Sequence, residues 1–168
     1  MIKPAYFYAG LFLKQLSYLL YGINFMKTIV NSILVIEDDE ATNFLNQVII
    51  NECNCFKNIH FSFNARDALD YLTSTGEYKD YNNVQLPEII LLDINLPGMD
   101  GWEFLDQYGK LNLRGLNNTI VAVLTISPKE DNLRNFKKYD FLNDYLEKPL
   151  TFEKLNQIIR IYVAQWSA

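Results

Sequence analysis

Two runs of four aliphatic residues, Ile33-Leu34-Val35-Ile36 and Ile89-Ile90-Leu91-Leu92, each give way directly to acidic side chains. A half-exposed strand alternates apolar and polar residues, so an unbroken aliphatic run of this length suits a strand covered on both faces. Between and after these runs the apolar pattern switches to helical spacing. Ala41, Phe44, Leu45, Val48 and Ile49 predict one helix. Asn64 is placed to cap a second that carries Ala68, Leu69 and Leu72. Trp102 to Leu111 reads as a third, Leu133 and Phe136 lie in a polar, weakly amphipathic fourth, and Thr151 caps a fifth with Phe152, Leu155, Ile158, Ile159, Tyr162 and Val163. Shorter strand patterns run over Ile59 to Phe63, Thr119 to Leu124 and Asp144 to Glu147, and Ser74 to Leu86 is a polar connection. Five strands alternating with five helices predict an α/β fold, a doubly wound parallel sheet with helices on both faces.

In such sheets ligands gather beyond the carboxyl ends of the strands. Here those ends are Glu37 and Asp38 after the first strand, Asp93 after the third, Thr125 after the fourth and Lys148 after the fifth. Three carboxylates aimed at one point repel unless a cation sits among them, and an all-oxygen donor set favours a hard divalent ion, Mg²⁺ above all. Such an ion offsets the charge of a phosphoryl group, an aspartate can act as the nucleophile, and lysine and threonine can hold phosphoryl oxygens. The inventory predicts phosphoryl transfer to Asp93. His60 is the only histidine, so no Ser-His-Asp triad exists, and His60 reads as an ordinary residue of the second strand.

The net charge of −5 argues against a phosphate-binding surface and hence against nucleic acid as a partner. Cys53 and Cys55 are too few for a disulfide framework or a zinc site and read as reduced thiols. Residues 1–26 differ from the rest: they carry Lys3 and Lys14 and no acid, leaving 13 basic and 20 acidic side chains, net −7, in residues 27–168. Tyr6 to Phe25 has the length of a bilayer span, but Lys14 near its middle costs about 2.5–3.5 kcal/mol on insertion scales. The segment reads as an N-terminal extension outside the fold, with a membrane anchor or an amphipathic docking helix as alternatives. The expected location is cytoplasmic, membrane-associated only if residues 6–25 act as an anchor.

The runs Ile33-Leu34-Val35-Ile36-Glu37-Asp38-Asp39, Leu91-Leu92-Asp93-Ile94-Asn95-Leu96-Pro97-Gly98-Met99-Asp100-Gly101, Val123-Leu124-Thr125 and Glu147-Lys148-Pro149 together resemble the receiver domain of two-component response regulators. The resemblance extends from about Thr28 to Trp166 and implies the strand order 2-1-3-4-5. It also implies roles. Glu37 and Asp38 match the acidic pair that holds Mg²⁺, Asp93 the phosphoacceptor, and the backbone carbonyl of Asn95 the remaining protein ligand. Lys148 matches the lysine that binds the phosphoryl group, Thr125 the hydroxyl that follows it, Tyr145 the aromatic switch, and Pro149 a proline whose peptide bond is often cis. Asp39 reads as a helix cap.

The resemblance implies a single-domain response regulator of a phosphorelay, not an enzyme beyond assisting its own phosphorylation and dephosphorylation. Its phosphodonor would be a sensor histidine kinase or a histidine phosphotransfer protein. The chain as given ends soon after the last helix, so the signal is expected to leave through contacts with a downstream protein. The face around the helix between strands four and five, edged by Lys129, Arg134, Lys137 and Lys138, is the candidate surface. Two alternatives share the fold class: an unphosphorylated pseudo-receiver, which typically lacks the phosphoacceptor or the lysine, and an aspartate-nucleophile phosphatase. The latter usually has a second Asp two residues after the nucleophile, where this chain has Asn95, which cannot shuttle a proton. A flavodoxin-like or Rossmann cofactor binder would need a glycine-rich loop where Glu37-Asp38-Asp39-Glu40 stands.

Overall fold

A computed structural model describes residues 30–81, 85–111, 116, 118–126 and 134–165. The segment 1–26 and Lys129 lie outside the described residues, as does most of the helix expected around Leu133. Strands β1 (Val30–Ile36), β2 (Phe56–Ser62), β3 (Ile89–Leu92), β4 (Ile120–Thr125) and β5 (Leu142–Glu147) form one sheet in the order β2-β1-β3-β4-β5. All four pairings are parallel, and a register shift interrupts the β4–β5 ladder between Val121 and Ala122. The described α-helices are α1 (Glu40–Cys53), α2 (Ala65–Thr73), α3 (Gly101–Tyr108) and α4 (Phe152–Gln165). The polar connection after α2 holds a short 3-10 turn over Gly76–Tyr78. No helix among the described residues is long and apolar enough to cross a membrane.

The aliphatic runs behave as their lack of alternation requires. Leu34, Ile36, Ile90 and Leu92 point to the face covered by α2 and α3, whereas Ile33, Val35, Ile89 and Leu91 point to the face covered by α1 and α4. Each of these side chains is 0–1 % exposed, which stabilises the fold by about 1.5–3 kcal/mol per residue relative to leaving it in water. Helix starts are set by local hydrogen bonds. Asp39 accepts from Thr42 N at 2.7 Å and Asn64 from Asp67 N at 2.8 Å, while Asp100 and Glu103 form a reciprocal capping box.

Two expectations are corrected. Most of the apolar positions predicted for α1 do not face the core: Phe44, Leu45 and Val48 are 64 %, 57 % and 43 % exposed, Ile49 alone packs partly against it, and the buried side chains are Asn43, Asn46 and Ile50. Asn43 Nδ2 donates to Glu37 O at 2.8 Å, so a polar anchor sets the rotation of the helix and overrides its hydrophobic period. Cys53 and Cys55 are joined in a disulfide across Asn54, which adopts a left-handed conformation with φ 53° at the end of α1.

His60 lies on β2 stacked against Tyr71, their ring centroids 4.0 Å apart. Burial lowers its pKa from 6.5, partly offset by the Asp67 charge. A histidine whose folded pKa is depressed contributes stability above its unfolded pKa that is lost as pH falls through that value toward the folded one. Acidification through 6.5 should therefore lower the melting temperature of the wild type more than that of His60→Gln. Equal slopes in thermal melts across that range would contradict this.

Candidate functional site

The parallel order brings the carboxyl ends of β1, β3, β4 and β5 to one edge, and with them the charged residues that follow each strand. Asp93 N donates to Ile36 O at 2.9 Å, which extends the β1–β3 ladder by one step and fixes the aspartate beside Glu37. The Lys148–Pro149 peptide is cis, and Lys148 N donates to Thr125 O, which ties the end of β5 to the end of β4.

Lys148 Nζ lies 2.6 Å from Glu37 Oε2 and 2.7 Å from Asp93 Oδ2. Glu37 and Asp93 are buried, 2 % and 4 % exposed, and the Lys148 side chain is 13 % exposed. Asp38 is exposed at the rim, yet one ligand oxygen from each of Glu37, Asp38 and Asp93 can lie within 4.8 Å of the others. Three carboxylates thus meet one ammonium, an excess of negative charge that a divalent cation could balance with oxygen donors alone. Burial pushes the Glu37 carboxyl above its ordinary value; the Lys148 hydrogen bond and charge pull it down, and the Asp93 charge adds to the rise. Lys148 responds oppositely to burial, which would lower it, but the two carboxylates outweigh that and hold the ammonium firmly charged.

These groups open into a cavity of about 440 Å³ that also touches Asp39, Thr42, Asn95 and Pro149. Asn95 N donates to Asp93 Oδ1 at 3.2 Å, so the loop after β3 folds back on the aspartate. Asp39 is the cap of α1, and that hydrogen bond lowers its pKa. Thr125 is 1 % exposed and does not line the cavity; its neighbour Ile126 does. Thr125 pairs with Glu147 and Val123 with Tyr145, so Thr125 and Tyr145 stand on the same sheet face, one pleat apart. Tyr145 is half-buried, edge-on to Phe136 with centroids 5.7 Å apart. Of the basic residues expected to edge this face, Arg134, Lys137 and Lys138 are exposed, and Lys138 bonds Asp106 at 3.2 Å.

Sequence reasoning missed Leu45 and Asn46, which line the cavity from α1, with Asn46 only 2 % exposed. The available signal was two asparagines at i and i+3, Asn43 and Asn46, a polar stripe as regular as the apolar one. Gly101 was also missed as a site residue, although a Cβ there would lie 2.7 Å from the backbone oxygen of Asp93.

Comparison with known proteins agrees with this geometry. Residues 33–160 match the model of the response regulator receiver domain. The probable methanogenesis regulatory protein FilR2 of Methanothrix harundinacea is 33 % identical over 135 residues, which is 80 % of this chain and 82 % of FilR2. Response regulator Rcp1 of Synechocystis is 31 % identical over 80 % of this chain and 87 % of its own, and its Mn²⁺-bound crystal structure superposes with a TM-score of 0.62 over 81 % of this chain and 94 % of Rcp1. A two-component response regulator from Cytophaga hutchinsonii gives a TM-score of 0.71 at 29 % identity, covering 81 % of this chain and 98 % of that one. A five-stranded 2-1-3-4-5 sheet, an acidic edge crossed by one lysine and a family match spanning most of its length make this chain a member of the response regulator receiver domain family.

Proposed function

We propose that the chain is a single-domain response regulator that accepts a phosphoryl group on Asp93 and signals through protein contacts. The observation that carries this reading is the pair of buried carboxylates sharing the Lys148 ammonium, with Asp38 at the cavity mouth. In this reading Glu37, Asp38, Asp93 and the backbone carbonyl of Asn95 would hold Mg²⁺, as the all-oxygen donor set suits a hard ion. Mg²⁺ would offset the charge of the transferring phosphoryl group.

The transfer itself follows from the residues present. A carboxylate oxygen of Asp93 attacks the phosphorus of a phosphohistidine, a P–O bond forms, and the P–N bond to the donor imidazole breaks. Lys148 then exchanges its contact with the Asp93 carboxylate for one with a phosphoryl oxygen. The phosphoryl group adds about −1.5 to −2 charges, and a rotation of the Thr125 hydroxyl toward it would supply another hydrogen bond. Tyr145, on the same face, would respond to the space that Thr125 leaves, so that partner binding and phosphorylation favour one state together. The division into an extension over residues 1–26 and a receiver over 27–168 belongs to the same proposal.

Receiver membership implies a two-component kinase or a histidine phosphotransfer protein as donor, and the exposed side of α1 supports a docking place. Phe44 and Leu45, with Ile126 at 67 % exposure, are large apolar side chains open to solvent, and Leu45 and Ile126 line the same cavity as Asp93. Phe44→Asp should slow transfer from a phosphorylated histidine phosphotransfer domain by about tenfold or more, as loss of an apolar anchor does at other interfaces. Labelling by acetyl phosphate, which needs no docking surface, should not change. Equal slowing with both donors would remove α1 from the docking surface and leave the chemistry at Asp93 to its own test.

A further inference from the structure

The outer side of β2 holds an aromatic cluster apart from the acidic site, of which only Tyr71 packs against the sheet core. Among the described strands β2 pairs only with β1, so no described strand occupies its other edge. Tyr78 sits beside the stacked pair of His60 and Tyr71, nearly perpendicular to both, at 5.5 Å and 5.3 Å between centroids. Its hydroxyl donates to Asp67 Oδ1 at 2.9 Å, which spends its only proton. The 3.2 Å contact with His60 Nε2 therefore needs the hydrogen on that nitrogen, and the chain Asp67–Tyr78–His60 fastens the 3-10 turn to the strand. Tyr81 adjoins Tyr78 at 5.8 Å and is 66 % exposed.

Between β2 and this turn lies a cavity of about 510 Å³, walled by Tyr71, Tyr78 and Tyr81 and bordered by the carboxylate of Glu77. Among the described residues no lysine or arginine lines it, and the exposed Lys57 of β2 is engaged with Asn31 Oδ1 at 2.7 Å. Aromatic rings next to an uncompensated carboxylate attract a cation, and a planar guanidinium can stack and donate hydrogen bonds at once. An open strand edge beside such a pocket takes an extended peptide, whose alternate side chains enter the pocket. The chain's net charge of −5 favours a basic partner at long range.

We propose that the outer edge of β2 and this cavity bind an extended basic peptide segment of a partner protein, with an arginine side chain seated against Tyr78 and Tyr81 beside Glu77. The site lies on the edge strand, away from the strand ends that carry Glu37 and Asp93. It therefore rests on the fold and not on phosphoryl chemistry.

The test titrates the full chain with the capped peptide Thr-Arg-Val-Arg-Thr, its Glu-for-Arg counterpart and capped free arginine, by calorimetry and NMR shift mapping. The arginine peptide should bind at β2, the glutamate peptide should not, and free arginine should bind more weakly for lack of strand pairing. Tyr81→Ala should weaken the arginine peptide by about fivefold to thirtyfold, the range of a partly desolvated cation–π contact, and Glu77→Gln by about twofold to fivefold, the range of an exposed ion pair. Acetyl phosphate labelling of both variants should match the wild type, which separates failure here from failure of the phosphoryl reading. Binding unaffected by Tyr81→Ala, equal binding of the glutamate peptide, or no binding of the arginine peptide would overturn the proposal. Free arginine binding as tightly as the peptide would overturn its strand-pairing part.

Discussion

Lys148→Ala should lower stability by about 3 kcal/mol in metal-free buffer, because removing one partner of a buried ionic cluster leaves charge uncompensated. Glu37 and Asp93 are both almost fully buried, and Lys148 is the cation bonded to each of them. Its loss also has a pH signature. The Glu37 carboxyl already sits above 4.5 through burial, with Lys148 pulling it down. When the folded pKa of an acid exceeds its unfolded value, the folded state holds more protons across that window, and stability falls as pH rises through it. Without Lys148 the window widens upward, so the variant should lose stability more steeply than the wild type above pH 4.5. Mg²⁺ should restore more stability to the variant than it adds to the wild type, since it replaces the missing charge. Urea titrations over pH, with and without Mg²⁺, measure all three effects. An unchanged free energy of unfolding would mean that the cluster is not held together by this lysine.

Gly101→Ala should also be damaging, by a steric route. A Cβ on Gly101 would lie 2.7 Å from Asp93 O, 2.7 Å from Ile94 Cα and 2.9 Å from Ile94 Cδ1. Two of those atoms are backbone, so the first turn of α3 or the loop after β3 has to move. Gly101 N donates to Ile94 O at 2.9 Å, and its hydrogen bond holds the two segments at this separation. Overpacking of this kind costs about 1–3 kcal/mol, and here the displaced backbone is that of Asp93 itself. The variant should therefore lose stability together with phosphorylation rate. A second variant, Gly98→Ala, separates the two kinds of glycine: Gly98 has φ 77°, with nothing within 4 Å of a Cβ. Its cost should be that of the left-handed backbone alone, about 1–2 kcal/mol. Gly101→Ala unfolding at wild-type denaturant concentration would show that α3 can shift freely.

The sheet was legible because its central strands are buried on both faces. Ile33–Ile36 and Ile89–Leu92 have no polar side to confuse the pattern, and the acidic residues after them mark the strand ends within a residue or two. The edge strand β2 was harder: His60 and Lys57 break its alternation, and it begins three residues before Ile59. The acidic edge followed from strand order, since parallel strands place every carboxyl end on one side. The rotation of α1 did not follow. A helical period shows that one face is apolar, and it does not show which contact outbids it; here Asn43 reaches Glu37 O while Phe44 and Leu45 stay in water. The Gly101 contact was equally hidden, because a glycine's need for space depends on what packs opposite. The Cys53–Cys55 bond runs between residues two apart, where no loop-closing role signals a pairing in advance.

The central claim is that Asp93 receives the phosphoryl group. Intact-mass measurement after incubation with acetyl phosphate and Mg²⁺ tests it most directly, with peptide mapping after borohydride reduction to locate the acyl phosphate. Wild type should gain the mass of one phosphoryl group, lose it on hydroxylamine treatment and remain unlabelled when Mg²⁺ is chelated. Asp93→Asn should gain nothing, while its fold and its melting temperature stay close to those of wild type. Stoichiometric labelling of Asp93→Asn, or a label mapped to any other residue, would contradict the account.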